Sequence, residues 1–111
     1  MESKATEYFN VWNKHDVEGL RALLAPEAVL RDWDVEVSGR DEVASANGNI
    51  FSAVPKINIE VLHLHPSTDG KTVCCEILVK LNDDAGTVLK VVDVISFSDA
   101  GLITAVRAYK G

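Results

Sequence analysis

One aspartate lies on the apolar side of a predicted β-strand, where an ionised carboxylate is costly. Residues 87–97 are rich in β-branched side chains and contain neither glycine nor proline, which predicts a strand. Side chains alternate along a strand. The face that holds Asp93 also holds Leu89, Val91, Ile95 and Phe97. Because an unpaired buried carboxyl raises its pKa and stays neutral, Asp93 is predicted to be an acid that can donate a hydrogen bond.

Two further polar side chains are expected to face the same interior. Tyr8 lies on one face of a predicted helix, where apolar residues recur at spacings of three and four. Asp32 alternates with Ala28 and Leu30 on a short predicted strand. We therefore expect Tyr8, Asp32 and Asp93 to converge in one cavity.

The elements that position these residues are predicted as three helices and then an antiparallel meander. Asp16 is a candidate N-cap for the second helix, which Pro26 closes, and Ser38-x-x-Asp41 resembles a capping box before the third. Turn residues separate the later strands, which predicts hairpins. The first and third helices are predicted at 3–14 and 41–53, and the strands at 28–33, 57–65, 72–81, 87–97 and 102–109. This order predicts an α+β fold with helices on one face of a curved sheet, and a concave cavity that suits a small ligand.

Length and charge limit the classes of partner. The 111 residues predict one domain, residues 1–111. A net charge of −6 and the lack of basic runs argue against binding to nucleic acid or to anionic membranes. No signal peptide or membrane-spanning stretch is apparent, and the adjacent Cys74 and Cys75 suit small core residues in a reducing compartment. A cytoplasmic protein is expected.

Motifs along nearly the whole chain resemble those of ketosteroid isomerase-like, SnoaL-like members of the nuclear-transport-factor-2-like superfamily. The first motif is Tyr8-x-x-x-Trp12-Asn13-x-x-Asp16-x-x-Gly19-Leu20-x-x-Leu23, followed by Glu27-Ala-Val-x-x-Asp32. The second is Val92-Asp-Val-Ile-Ser-Phe97, followed by Gly101-x-Ile103 and Arg107-Ala-Tyr109. The resemblance implies the cone-shaped nuclear-transport-factor-2-like, or cystatin-like, fold.

The resemblance also implies an activity. Asp32 would be the general base that moves a proton next to a carbonyl, while Tyr8 and protonated Asp93 would donate hydrogen bonds to the dienolate oxygen. Such an isomerase needs no cofactor or metal and acts on a small apolar carbonyl compound. The residues expected to contact the substrate are Trp12, Trp33, Phe51, His63, Val91 and Phe97. A homodimer through the outer sheet face is also implied, with apolar area from Leu62, Leu64, Leu78 and Val92.

The chain departs from the family pattern around the expected pocket. The loop between Asp32 and Gly39 is shorter than is usual in the family, and Trp33 stands where the family usually has proline. Leu24 and Asn47 fall near the positions of additional pocket tyrosines. We expect Trp33 to narrow the pocket against a four-ring steroid.

The sequence leaves several alternatives open. Asp93 is also consistent with a core aspartate satisfied by Tyr8 alone, and Asp32 with a solvated residue paired to Arg31 or Arg40. Tyr8 is also consistent with an aromatic residue that packs the helix and has its hydroxyl at the rim. His63 and His65 share a strand face in simple alternation, but a metal site needs a third ligand. The competing functions are a non-catalytic pocket and a polyketide-cyclase-like enzyme. Epoxide hydrolysis is disfavoured because the penultimate strand has no Arg-x-Asp pair: Val91 stands two residues before Asp93.

Overall fold

A computed structural model describes residues 1–111 as three helices and six strands. The helices are α1 (Glu2–Asn13), α2 (Val17–Leu23) and α3 (Arg40–Ala53). The strands are β1 (Leu24–Arg31), β2 (Glu36–Ser38), β3 (Asn58–Pro66), β4 (Thr72–Lys80), β5 (Val88–Phe97) and β6 (Ile103–Lys110). The predicted α+β class is confirmed. None of the three helices has both the length and the apolar character needed to cross a bilayer.

All six strands belong to one sheet, in the order β2-β1-β6-β5-β4-β3. Neighbouring strands are antiparallel except β1 and β6, which are parallel. Along β4 and β5, side chains alternate between an inner and an outer face of the sheet. The side chains of the inner face form one hydrophobic core with the helices. The largest fully buried members of this core include Phe9, Leu20, Ile77, Ile95 and Ile103.

The region between α2 and α3 differs most from the sequence prediction. β1 begins at Leu24 instead of residue 28, and Pro26 lies where its register with β6 shifts, so the missing N–H interrupts no regular ladder. β1 also ends at Arg31 instead of residue 33. The three-residue strand β2 was not predicted, because its segment is too short to show alternation and is held by pairing with β1.

The two helix caps predicted from sequence have different outcomes. Asp16 does cap α2, since its Oδ1 accepts the Gly19 N–H at 2.9 Å. The predicted capping box at Ser38 is wrong. Ser38 is paired with Val29 in the sheet, and Gly39, at φ 100°, is the N-cap residue of α3 without a side-chain bond. Asp41 instead forms an ion pair with Arg21.

A bulge in β3 reverses the predicted alternation of that strand. Val61 pairs with Ile77, but the register then shifts and His63 pairs with Glu76. One extra residue in a strand turns the side chains that follow to the opposite face. The prediction that His63 faces the interior is therefore wrong, and His63 is exposed on the outer face. For the same reason Leu64, expected on the outer face, packs against the core.

One asparagine joins the end of α1 to the start of β3. The Asn13 Nδ2 donates to the Ile59 carbonyl at 2.8 Å, and the Ile59 N–H donates to Asn13 Oδ1 at 2.7 Å. The side chain thus satisfies both backbone groups of a residue on an edge strand. This pair of bonds fixes the C-terminal end of the helix that carries Tyr8 and Trp12.

Asn13→Ala is expected to lower the free energy of unfolding by about 1–3 kcal/mol, because it leaves two partly buried backbone groups without partners. Urea denaturation monitored by circular dichroism measures the change. Asn10→Ala, at an exposed position of the same helix, is the matched control and should stay within about 0.5 kcal/mol of wild type. Equal effects at the two positions would show that the bonds to Ile59 do not anchor α1.

Candidate active site

One apolar cavity lies between α1, α3 and the inner face of the sheet. Its volume is about 220 Å³, and fifteen of its eighteen lining residues are hydrophobic. The remaining three are Asp32, Asn47 and Asp93, and the Tyr8 hydroxyl adds a fourth polar group. The structure therefore brings Tyr8, Asp32 and Asp93 to one cavity. A site of this kind, with a few polar groups in an apolar wall, suits a small ligand.

Asp93 lies in the middle of β5, where the sequence prediction put it. It pairs with Cys75 of β4 and Ala108 of β6, and only 6% of its surface is exposed. Burial, followed by the negative charge of Asp32, raises the pKa of Asp93 to about 7. No protein group hydrogen-bonds its carboxyl. The protonated form is thus well populated near neutral pH and has a free O–H to donate.

The Tyr8 hydroxyl is a second free donor. Tyr8 is buried on α1, and its ring packs edge-on against Phe9 at 5.2 Å between centroids. Burial, then the charges of Asp93 and Cys75, raises the Tyr8 pKa above its usual range, so the phenol stays protonated. No hydrogen bond joins Tyr8 to Asp93. The structure therefore does not support the alternative in which a hydrogen bond from Tyr8 satisfies the buried Asp93 carboxyl.

Asp32 is held by the backbone that follows it. It is the first residue after β1, and its Oδ1 accepts the N–H groups of Asp34 at 2.8 Å and Val35 at 2.7 Å. The other carboxylate oxygen has no protein partner, and neither Arg31 nor Arg40 pairs with this aspartate. The two N–H bonds fix the side-chain orientation and leave Oδ2 without a protein partner, in a residue that lines the cavity.

Ala108 separates the two aspartates. Asp93 pairs with Ala108 across β5 and β6, and Asp32 follows Arg31, which pairs with Arg107 across β1 and β6. Two strand spacings therefore place the Cα atoms of Asp32 and Asp93 roughly 10 Å apart. Because the residue between them is only alanine, the space above it stays open to the cavity.

The other residues expected to contact a substrate divide into two groups. Trp12, Trp33 and Val91 line the cavity. Trp33 is 41% exposed, and the Lys110 Nζ lies 5.1 Å from its ring centroid, so this tryptophan forms part of the rim.

Phe51, Phe97 and His63 do not line the cavity. Phe51 is buried and stacked on His15, with 4.3 Å between the ring centroids. Phe97 belongs to the core near the end of β5, beside Ile103. His63 is on the outer face, where the neighbouring His65 lies 2.6 Å from Glu76. No group of three or more His, Cys, Asp or Glu side chains is placed to hold a metal ion.

Asn47 is a polar lining residue that was not among those expected from the sequence to contact a substrate. It lies on the buried stripe of α3 between Val43 and Phe51, and it is 4% exposed. A polar residue on an apolar stripe is the same signal that identified Asp93. In the sequence, Asn47 stands out only as a position near a family tyrosine.

Three solved structures are similar to this chain over nearly its whole length. A candidate ketosteroid isomerase from Kribbella flavida aligns at 21% identity over 98% of this chain and 76% of its own, with a TM-score of 0.81. A candidate polyketide cyclase from Sinorhizobium meliloti aligns at 18% identity over 96% and 93%, with a TM-score of 0.84. A Mycobacterium tuberculosis protein in complex with estradiol-17beta-hemisuccinate aligns at 20% identity over 95% and 88%, with a TM-score of 0.79.

Other similar solved structures, among them a protein with a cystatin-like fold and an NTF2-like protein, establish the nuclear-transport-factor-2-like, or cystatin-like, fold. A search among curated protein sequences gives no significant match. The model of the SnoaL-like domain matches residues 5–106, which is nearly the whole chain. The chain therefore belongs to the SnoaL-like domain family.

Proposed function

We propose that this protein is a cofactor-independent isomerase that moves a proton next to a carbonyl group. The observation that carries the proposal is the pairing of one anchored carboxylate with two unpartnered donors at one apolar cavity. Asp32 is the general base, and Tyr8 and protonated Asp93 are the donors to the substrate oxygen. The base must be ionised while the donor is protonated, so the two aspartates need different surroundings. Asp93 is buried in the sheet, whereas two backbone N–H groups bind the Asp32 carboxylate.

The reaction follows from these roles. The free Oδ2 of Asp32 takes the proton from the carbon between the carbonyl and the double bond of a β,γ-unsaturated ketone. The electron pair moves to the carbonyl oxygen, which accepts hydrogen bonds from the Tyr8 and Asp93 hydroxyl groups as a dienolate. Asp32 then returns the same proton to the γ carbon, and the product is the conjugated enone. No atom is gained or lost.

The charge of the cavity stays constant during this cycle. Before proton transfer the negative charge is on Asp32, and afterwards it is on the dienolate oxygen. The charge of Asp32 is one cause of the raised pKa of Asp93. When Asp32 takes up the proton, the anionic oxygen that forms replaces it as the charge facing Asp93, which favours the protonated donor throughout.

The structural relatives support this proposal at a coarser level. They include a candidate ketosteroid isomerase and a protein that binds a steroid derivative, both on the same fold. The second of these relatives also favours a second candidate, a non-catalytic pocket that binds a small apolar ligand without changing it.

An ultraviolet assay separates the two candidates. Conversion of cyclohex-3-en-1-one, or of a β,γ-unsaturated ketosteroid, to its conjugated isomer is followed at the enone absorbance maximum. In parallel, binding of a phenol, which mimics the dienolate oxygen, is measured by calorimetry. Turnover of either ketone supports the isomerase. Phenol binding without turnover of either ketone supports the binder, and the absence of both refutes a functional oxyanion site.

Tyr8→Phe is expected to lower kcat by about 10²–10³-fold, because one donor to the developing oxyanion is lost. The melting temperature should change by only a few degrees, since no protein group hydrogen-bonds the hydroxyl and the ring is retained. Tyr109→Phe is the matched control, because the Tyr109 hydroxyl bonds only Arg31 at the surface. A Tyr8→Phe protein that keeps wild-type kcat would remove Tyr8 from the catalytic set.

A further inference from the structure

Asn47 supplies the cavity with a polar contact away from the proposed reaction centre. The Nε1–H of Trp12 donates to the Asn47 Oδ1 at 2.9 Å. An indole nitrogen can only donate, so this bond fixes which end of the amide faces Trp12. The Nδ2 of Asn47 donates one hydrogen to the Val43 carbonyl at 2.9 Å. Its second hydrogen has no protein acceptor, although the residue lines the cavity.

The two polar regions of the cavity are separated along α1. Trp12 follows Tyr8 by four residues, which is a rise of about 6 Å along a helix. Trp12 therefore holds the Asn47 amide from a position about one helical turn along α1 from Tyr8. The remaining walls are apolar apart from Asp32. A ligand that fills the cavity thus meets hydrogen-bond donors at two separated places.

The size of the cavity limits what can bridge these places. Its volume of about 220 Å³ is below the roughly 300–1,000 Å³ of ordinary drug-sized ligand sites. Trp33 at the rim further restricts extension of a ligand beyond the cavity. A ligand of one or two rings matches this space better than four fused rings do.

We propose that the substrate is a compact one- or two-ring unsaturated ketone with a second hydrogen-bond acceptor at its far end, which the Asn47 amide binds. This inference rests on the proposed function, because the first oxygen is the one that Tyr8 and Asp93 bind. Asn47 acts as a specificity-determining residue: it takes no part in proton transfer and selects ligands by their far end. A ligand with a purely apolar far end leaves the amide hydrogen without a partner in an apolar pocket.

Matched phenols test the second contact. 4-(Methoxymethyl)phenol and 4-propylphenol have nearly the same shape, and a methylene insulates the ring from the ether oxygen, so their hydroxyl acidities are similar. The corresponding 6-substituted 2-naphthols repeat the pair at a longer span. Dissociation constants are measured by calorimetry for wild type, Asn47→Leu, Asn47→Met and the control Asn49→Leu, which changes an exposed residue of the same helix.

The readout is the affinity of the ether relative to the alkyl compound. For the span that fits, we expect this ratio to fall about tenfold in both Asn47 variants and to stay at the wild-type value in Asn49→Leu. General damage to the pocket weakens both compounds together and leaves the ratio unchanged. Asn47→Met keeps a flexible side chain of similar size beside Trp12, in case leucine prevents folding. An unchanged ratio for both spans in variants that still bind the alkyl phenol overturns the inference.

A wild-type measurement keeps the inference testable without any variant. The chain has six asparagines and no glutamine, so the side-chain amide of Asn47 is one of six in a ¹H–¹⁵N spectrum. The ether should shift one Asn47 amide proton downfield, and the propyl compound should not. If both phenols bind in a Tyr8-dependent way with no such shift, the second contact is refuted and the proposed function stands. If no phenol binds and neither ketone is converted, both are refuted.

Discussion

Asn in place of Asp32 is expected to lower kcat for the isomerisation of a β,γ-unsaturated ketone by about 10²–10⁴-fold. The amide oxygen of asparagine can still accept the N–H groups of Asp34 and Val35, so the loop keeps its shape. The amide cannot take up a proton at neutral pH, so the first step loses its base. The absorbance of the conjugated enone measures the rate.

Phenol binding is the companion measurement for this variant. Removing a negative charge near the oxyanion site should leave phenol affinity unchanged or increase it. Asp34→Asn is the matched control, because Asp34 is exposed and contributes only its backbone N–H to Asp32. If Asp32→Asn retains wild-type turnover, Asp32 is not the base, and a pocket with a different catalytic group must be considered.

Asp93→Leu is expected to become more stable relative to wild type as the pH rises from 4 to 8. Below pH 4, Asp93 is protonated in both the folded and the unfolded chain, so its ionisation contributes nothing. Between about pH 4 and 7, the folded protein retains a proton that the unfolded chain has released, so wild-type stability falls through this window. Above pH 7, the buried charge costs the folded state about 4 kcal/mol, which corresponds to a shift of about three pKa units.

The difference in unfolding free energy between the variant and wild type isolates this effect. Urea denaturation at several pH values should show the difference moving in favour of leucine by a few kcal/mol, with most of the change between pH 5 and 7. Asp99→Asn is the comparison variant, and its effect on stability should have the opposite pH dependence. Lys71 lowers the pKa of Asp99, so the stability that ionised Asp99 contributes is lost as the pH falls. A pH-independent difference for Asp93→Leu would mean that this carboxyl has an ordinary pKa.

The position of Asp93 could be predicted from the sequence because β5 is regular. Its neighbours alternate without interruption and pair with β4 in one register over nine residues. The face of a side chain in such a strand depends only on whether its number is odd or even. The same rule failed at His63, because one extra residue in β3 changed the register before it. A bulge of this kind depends on pairing with a partner strand, which a local pattern does not contain.

Asp32 was only partly predictable for a related reason. Alternation with Leu30 placed it toward the cavity, and it does line the cavity. The sequence does not show how the Asp32 side chain is oriented, because the groups that bind it are two backbone N–H groups just after the strand. Nearly every residue has a backbone N–H, so residue types do not indicate which N–H groups bind a carboxylate. The Asn47 amide, by contrast, carried a readable signal, since a polar residue on a buried helical stripe needs partners.

The placement of β6 governs when the site can form during synthesis of the chain. β1, which leads to Asp32, and β5, which carries Asp93, are not paired with each other; each pairs with β6. This strand comes last of the six in sequence, so the two carboxyl groups are brought together only by pairing across a separation of more than seventy residues. Such long-range closure is slow. A nascent chain that lacks β6 therefore exposes two strand edges and lacks the cavity wall that Val106 and Ala108 form, so it depends on the final strand for protection from aggregation and for a complete site.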